Sequence, residues 1–196
     1  MIDAPKAAPV TVVLSRKSAT QVSESPFDYV GGVFVHPGKR WLASIQWAKG
    51  DDETGADSGG FLSDLNGHEN TFPMGPLEKR LGVGADSPVV ALADQTGSSF
   101  VSGGWPVSTP RVLAKGDFLA ILFRLYQVRE DVVSDAGGLA TIKVWPNVRV
   151  APALNTPIII DAPKGEFRQA RNESPSPHRM LGGATSGFQL LAESIV

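Results

Sequence analysis

The chain has no cysteine among its 196 residues, which excludes a disulfide framework, a thiol nucleophile and cysteine-based metal centres. It also has no excess of one charge sign: 18 Lys plus Arg stand against 20 Asp plus Glu, a formal net charge of −2. Affinity for a phosphate backbone comes mainly from clustered cations, so sequence-specific nucleic-acid binding is not expected. Long apolar runs are absent too. No stretch approaches the ~20 residues of a membrane-spanning helix, and the opening Met1-Ile2-Asp3-Ala4-Pro5-Lys6 has no apolar leader core. A membrane partner is therefore not expected. Charged residues are sparse at 19%, below the usual ~25%. What the chain has in quantity is turn formers: 21 Gly and 15 Pro, together 36 of 196 residues, or about 18% against ~12% in average usage. That composition predicts short strands and many turns, in a chain long enough to bury a core without staples.

The local patterns agree. Val10 to Leu14 is a β-branched run, and Tyr29 to Val35 brings β-formers back until His36-Pro37-Gly38, where a turn is expected. Trp41, Ala43, Ile45 and Trp47 then fall on one face of an alternating strand. Ala56, Phe61, Leu62 and Leu65 recur at helical spacing behind Asp57 or Ser58 as N-cap, with Asn66-Gly67 as the stop. This is the one helix the sequence predicts. Short strands follow at Pro88 to Ala93, Ser98 to Val101 and Arg111 to Ala114, and Phe118 to Val128 reads as a strand or tight hairpin buried on both faces. Asp135-Ala136-Gly137-Gly138 turns the chain into Leu139 to Trp145. Thr156 to Asp161, Glu166 to Ala170 and Phe188 to Val196 complete the set, with 172–186 as loop. Many short strands and one helix predict an all-β fold, sandwich or barrel.

Chemistry-bearing motifs are weak. Asp57-Ser58-Gly59-Gly60 repeats the tetrapeptide around the nucleophile of trypsin-like proteases, but His36 lies only 22 residues ahead and the flanking period is helical. A helix cap is the better reading. His36, His68 and His178 stand alone, with no second ligand at metal spacing. Asp51, Asp52 and Glu53 lack the ligand spacing of a calcium loop and read as a solvated surface. Gly82-Val83-Gly84 and the run Gly182 to Gly187 lack the Lys-Ser/Thr of a phosphate loop. No catalytic residue, metal or cofactor is predicted. Of the four tryptophans, Trp105 alone has a loop context, between Gly104 and Pro106, and could contact a partner or a glycan; Tyr126 is the second such candidate.

The order of the landmarks carries more. Trp41 on its alternating strand is followed by Phe61-Leu62-Ser63-Asp64-Leu65-Asn66-Gly67 and Asn70-Thr71-Phe72-Pro73-Met74-Gly75. Next come Val90 to Ser108, Leu113 to Phe118, Arg124 to Val128, Asp135 to Thr141, Trp145-Pro146 and Pro163 to Arg168. This series, from about Trp41 to Arg171, resembles the distal tail (baseplate-ring, minor tail) proteins of long-tailed bacteriophages, the siphophages. It departs from them at Ile121-Leu122-Phe123, where relatives usually carry a glycine-containing turn.

The resemblance implies a non-enzymatic structural virion protein at the phage tail tip, assembled in the host cytoplasm. It implies a ring, commonly a homohexamer, between the tail tube protein and the tail-tip hub protein. It also implies two units: a β-sandwich-like ring-forming domain over 1–87 and 172–196, with the helix near 57–66, and a small β-barrel of oligonucleotide/oligosaccharide-binding type over 88–171. A ring closes by heterologous contacts, and residues 1–25 are the expected arm to a neighbour. Asp51, Asp52 and Glu53 would suit an acidic lumen that passes DNA without holding it. The alternative is a carbohydrate-binding β-module in a receptor-binding or accessory tail protein, with Trp105 and Tyr126 stacking on sugar.

Overall fold

A computed structural model describes residues 1–24, 31–85, 87–170, 179–180 and 184–195. In chain order the elements are β1 (Thr11–Glu24), β2 (Gly31–Trp47), β3 (Gly50–Asp51), α1 (Asp52–Leu65), β4 (Thr71–Met74), β5 (Val89–Val90) and β6 (Gly97–Gly103). They continue with β7 (Phe118–Ile121), β8 (Arg124–Val128), β9 (Ala140–Val148), β10 (Gly165–Gln169), β11 (Arg179–Met180), β12 (Ala184–Thr185) and β13 (Phe188–Ser194). The fold is all-β with one short helix. One antiparallel sheet has the order β1-β2-β13-β10-β4, a second has β5-β6-β9-β8-β7, and β11-β12-β3 form a small ribbon.

The first sheet owes its core to the alternation along β2. Trp41, Ala43, Ile45 and Trp47 are all buried, and α1 lays Phe61, Leu62 and Leu65 over them together with Phe72, Phe167, Phe188 and Leu190. Trp47 stacks on Phe188 at 4.6 Å, and Phe61 meets Phe72 edge-on at 5.3 Å. The helix begins six residues before the cap read from the sequence: the Asp51 carboxylate accepts from the Thr54 N–H at 2.8 Å. That bond satisfies an orphan donor, and Asp52 and Glu53 in the first turn sit favourably at the positive end of the helix dipole. Asn66, left-handed at φ 44°, ends the helix where Asn66-Gly67 predicts.

The second sheet curls into a half-barrel. Residues 155–159 span its open side, because Ala120 and Ile159 exchange both backbone hydrogen bonds while Val90 pairs with Thr156 and Asn155. Its core holds Val90, Phe100, Leu113, Leu119, Tyr126, Ile142 and Val144. The two cores share a wall, since neighbouring residues on β8 and β9 face opposite ways. Leu125 and Trp145 belong to the first core, Tyr126 and Val144 to the second. Trp41 crosses that wall: its indole N–H donates to the Leu125 carbonyl at 2.9 Å, and its ring meets Trp145 edge-on at 4.4 Å. Arg16, the partner of Trp41 across the ladder, lies over the Trp145 ring at 5.4 Å and donates to Gln127. Gly165 belongs to the same junction, because a Cβ there would stand 2.7 Å from that of Leu125.

Four expectations need correction. His36-Pro37-Gly38 does not reverse the chain: β2 runs straight through it, and residues 36–38 oppose Ala19 alone, between the pairs Ser18↔Lys39 and Thr20↔Val35. A bulge absorbs the extra residues where a turn was expected. The arm expected over residues 1–25 is held by its own chain for most of its length: Thr11 to Ser18 pairs with β2, and in the segment before it Ile2 N donates to Thr71 O, Lys6 N to Asp57 and Trp47 Nε1 to Ala7 O, with Ile2 and Ala7 packed on the first core. Residues 165–169, grouped by sequence with the barrel, form β10 between β13 and β4 of the first sheet, since Phe167 fits that core. Arg111 to Ala114 is no strand but a single bridge, Leu113↔Val132.

Phe118 to Val128 is the tight hairpin, closed by Leu122 and Phe123 at φ 50° and 57°. Two consecutive left-handed residues make a turn that favours Asn-Gly. Bulky side chains there store on the order of 1–2 kcal/mol each. Replacing Leu122→Asn and Phe123→Gly together is expected to stabilise the chain by roughly 1–2 kcal/mol in urea denaturation. Trp41→Phe, which keeps a ring but strips the donor from the Leu125 carbonyl, is expected to cost about 2 kcal/mol in the same assay.

Candidate functional site

The feature that sets this molecule apart is the outer half of the β1–β2 hairpin. β13 pairs with β2 only from Trp47 back to Leu42. Beyond the bulge, Thr20 to Glu24 pairs with Val35 to Gly31 and with no other strand among the described residues. Five pairs at ~3.4 Å per residue carry this arm roughly 17 Å past the bulge. A two-stranded ribbon is at best marginally stable in water without a packed face. Here the faces are bare. Val22 and Val33, directly paired, are 63% and 65% exposed, and Phe34 is 58% exposed. Exposed apolar residues on a ribbon whose edges meet no other strand among the described residues are an interaction surface in waiting.

The base of the arm is held by charge. Glu193 on β13 accepts from Arg40 at 2.7 Å and from the Arg168 fork at 3.0 and 2.8 Å. Its neighbour Ser194 accepts from the Trp41 N–H at 2.9 Å, and Lys39 reaches Asn147 at 3.4 Å. Partial burial pushes the Glu193 carboxyl upward, but the Arg168 hydrogen bonds and the charges of Arg40 and Arg168 outweigh it, leaving its pKa below the ordinary 4.5. The arm therefore leaves the body at a fixed place.

The residues singled out from the sequence are scattered. Trp105 is 4% exposed, with its Nε1–H donating to the Ser102 hydroxyl at 2.8 Å, and Tyr126 is likewise 4% exposed in the barrel core. Burial raises the Tyr126 pKa. Neither ring offers a face to a sugar. Asp51, Asp52 and Glu53 form the cap and first turn of α1, exposed to solvent, and the bond from Thr54 lowers the Asp51 pKa. Ser58 lies on the buried face of α1, whereas His36 lies in the bulge of β2, so the two are not brought together as a catalytic pair. His68 Nδ1 lies 2.7 Å from the Gln169 carbonyl oxygen. His178 and Gly182 lie outside the described residues. Among those residues no three His, Asp or Glu gather as a metal site, and no helix is long and apolar enough to cross a membrane.

Sequence reasoning missed two organising residues. Glu193 sits in a terminal strand that looks merely amphipathic. Asp117, buried, accepts from the backbone N–H groups of Leu81, Gly82 and Ala114 at 2.8–2.9 Å and ties the 81–82 segment to the barrel. Its signal was the Lys115-Gly116-Asp117 turn, with Gly116 at φ +99°.

The chain matches no protein-family model and no curated protein.

Glu193 yields a pH prediction. Its pKa is lowered on folding, so its contribution is complete above about 4.5 and is lost as pH falls through the depressed folded-state value. Both arginines are more than a third exposed, which screens the pair to the order of 1 kcal/mol. Glu193→Gln is expected to lower urea stability by that amount at pH 7 and to match wild type more closely near pH 3. An equal difference at both pH values would contradict the assignment.

Proposed function

We propose that this protein is a structural ring component of a phage tail, seated between the tail tube protein and the tail-tip hub protein and built from copies of itself. The observation that carries the reading is the arm: a rigidly based ribbon with exposed apolar side chains that pairs with no other strand among the described residues. Such a ribbon is explained by a neighbouring subunit that supplies its third strand or its missing face. A head-to-tail contact of this kind closes into a ring when the rotation permits. The ordered landmarks from Trp41 to Arg171 supply the tail context, and the body supplies a stiff platform, its two cores joined through Trp41.

The resemblance gives six as the expected copy number and the virion tail tip as the location. The half-barrel serves in this reading as a scaffold; its inward side chains fill it. The two aromatic residues that a glycan-binding module would need are consumed by packing.

The test is the solution mass of the full chain by light scattering, with negative-stain images of the same peak, alone and co-expressed with tail tube and hub proteins. Rings are expected in at least one setting. Val22→Ser, Val33→Ser and Phe34→Ser together are expected to abolish them while leaving the thermal midpoint within about 2 °C, because exposed surface changes typically move stability by less than ~0.5 kcal/mol. Rings that persist in the triple variant, or no ring in any setting, would overturn the reading.

A further inference from the structure

We propose that the groove along the outer edge of β1 receives the β2 strand of the arm from a neighbouring copy of this chain; the inference rests on the ring reading and names where the arm docks. β1 begins the five-stranded sheet, and from Val12 to Arg16 it pairs with β2 and with no other strand among the described residues. A cavity of about 410 Å³ lies along this edge, lined by Val12 and Leu14, by Pro76, and by the rings of Trp41 and Phe118, which meet at 5.6 Å. Its two charged lining residues, Arg16 and Glu78, are of opposite sign. Alternation decides what a strand added there would meet. Val12, Leu14 and Arg16 share a face with their β2 partners Ile45, Ala43 and Trp41, whereas Thr11, Val13 and Ser15 lie on the other face and are exposed. Every second side chain of an added strand would therefore point toward the cavity, and the rest would lie beside Val13.

The arm offers such a strand. Gly31 to Val35 lies past the point where β13 leaves β2, and its length of about 17 Å matches that of Val12 to Arg16. Its side chains alternate in the same sense. Phe34 and Gly32 share one face with their partners Gln21 and Ser23, and on that face Phe34 is the one large apolar group, its ring 3.6 Å from where a Cβ on Gly32 would stand. Val33 lies on the opposite face, exposed. A single ring therefore answers a cavity walled by aromatic rings, and Val33 falls on the face of Val13. Gly31 to Val35 carries no charge, which suits a groove whose two charges balance. The occupant is a second copy because the donor and acceptor edges lie on opposite sides of the same β1–β2 hairpin and face away from each other. Within one chain they cannot meet. Between copies the β2 edge of one joins the β1 edge of the next, and a contact between unlike edges is head to tail, the polarity that a closed ring requires.

The test uses the full chain under the conditions that give rings. Phe34 is replaced by the photoreactive aromatic p-benzoylphenylalanine, and ¹⁴N- and ¹⁵N-labelled copies are mixed, assembled and irradiated. Adducts are expected between position 34 of one isotope and Val12 to Arg16, Pro76 or Phe118 of the other, whatever the register of the added strand. Their yield is expected to hold as salt is raised, since charge does not join the two edges. Hydrogen exchange of the wild-type chain supplies a second readout: the amides of Val12 to Arg16 are expected to slow on going from the dilute chain to the ring, together with those of Gly31 to Phe34. Rings whose adducts fall on another surface of the neighbour, or on a co-expressed tube or hub protein, overturn this contact and leave the ring reading standing. Rings in which Val12 to Arg16 exchanges as in the dilute chain, or in which the adducts vanish with salt, overturn it as well. No ring in any setting overturns the ring reading itself, and this contact with it.

Discussion

The architecture depends on one strand having two occupations. Between Trp41 and Trp47, β2 is an interior strand of the first sheet with one face buried; beyond its bulge it is half of a ribbon in solvent. The transition is held by Trp41, whose backbone N–H bonds to Ser194, whose indole bonds to the barrel strand β8, and whose ring packs on Trp145. A buried tryptophan with its polar atom satisfied contributes several kcal/mol. That is enough to make the body one stiff unit from which the arm leaves in a defined direction.

A stiff base changes what the arm does. A loose hairpin would lose conformational entropy on docking, on the order of 1 kcal/mol or more for each residue ordered, whereas a ribbon already paired over five residue pairs has met much of that cost. The Glu193 cluster and the bulge serve the same end, the first by clamping β2 to β13 and β10, the second by taking up extra residues without breaking the ladder. Val22, Val33 and Phe34 expose apolar area whose burial against another surface would be worth roughly 25 cal/mol per Å².

What was legible in the sequence follows from period. Trp41, Ala43, Ile45 and Trp47 alternate because one face is buried, and Phe61, Leu62 and Leu65 recur because one helix stripe is buried. The all-β class and the helix stop at Asn66-Gly67 come from the same kind of signal. An arm within residues 1–25 was expected and the β-formers up to Val35 were legible, but the pairing that builds the ribbon was not, since Ser15 to Glu24 has no buried face and therefore no period to read. The helix start was missed because Asp51 to Thr54 reads as a charged loop until the carboxylate is seen to cap it. Residues 165–169 went to the wrong sheet because alternation says which residues face inward but not against which core. Trp105 misled for another reason: Gly104 and Pro106 mark a loop, yet that loop folds inward and the Ser102 hydroxyl satisfies the indole. Local context describes the backbone, and the burial of a ring is decided by residues far away in the chain.

The central claim is that the arm is completed by another subunit. Hydrogen–deuterium exchange of the arm amides from Thr20 to Glu24 and Gly31 to Phe34, compared between the dilute chain and the assembled ring, tests it directly. The account predicts rapid exchange in the dilute chain and strong protection in the ring, with the amides of Ala43 and Ile45 slow in both. Equal exchange of the arm in the two states would contradict it.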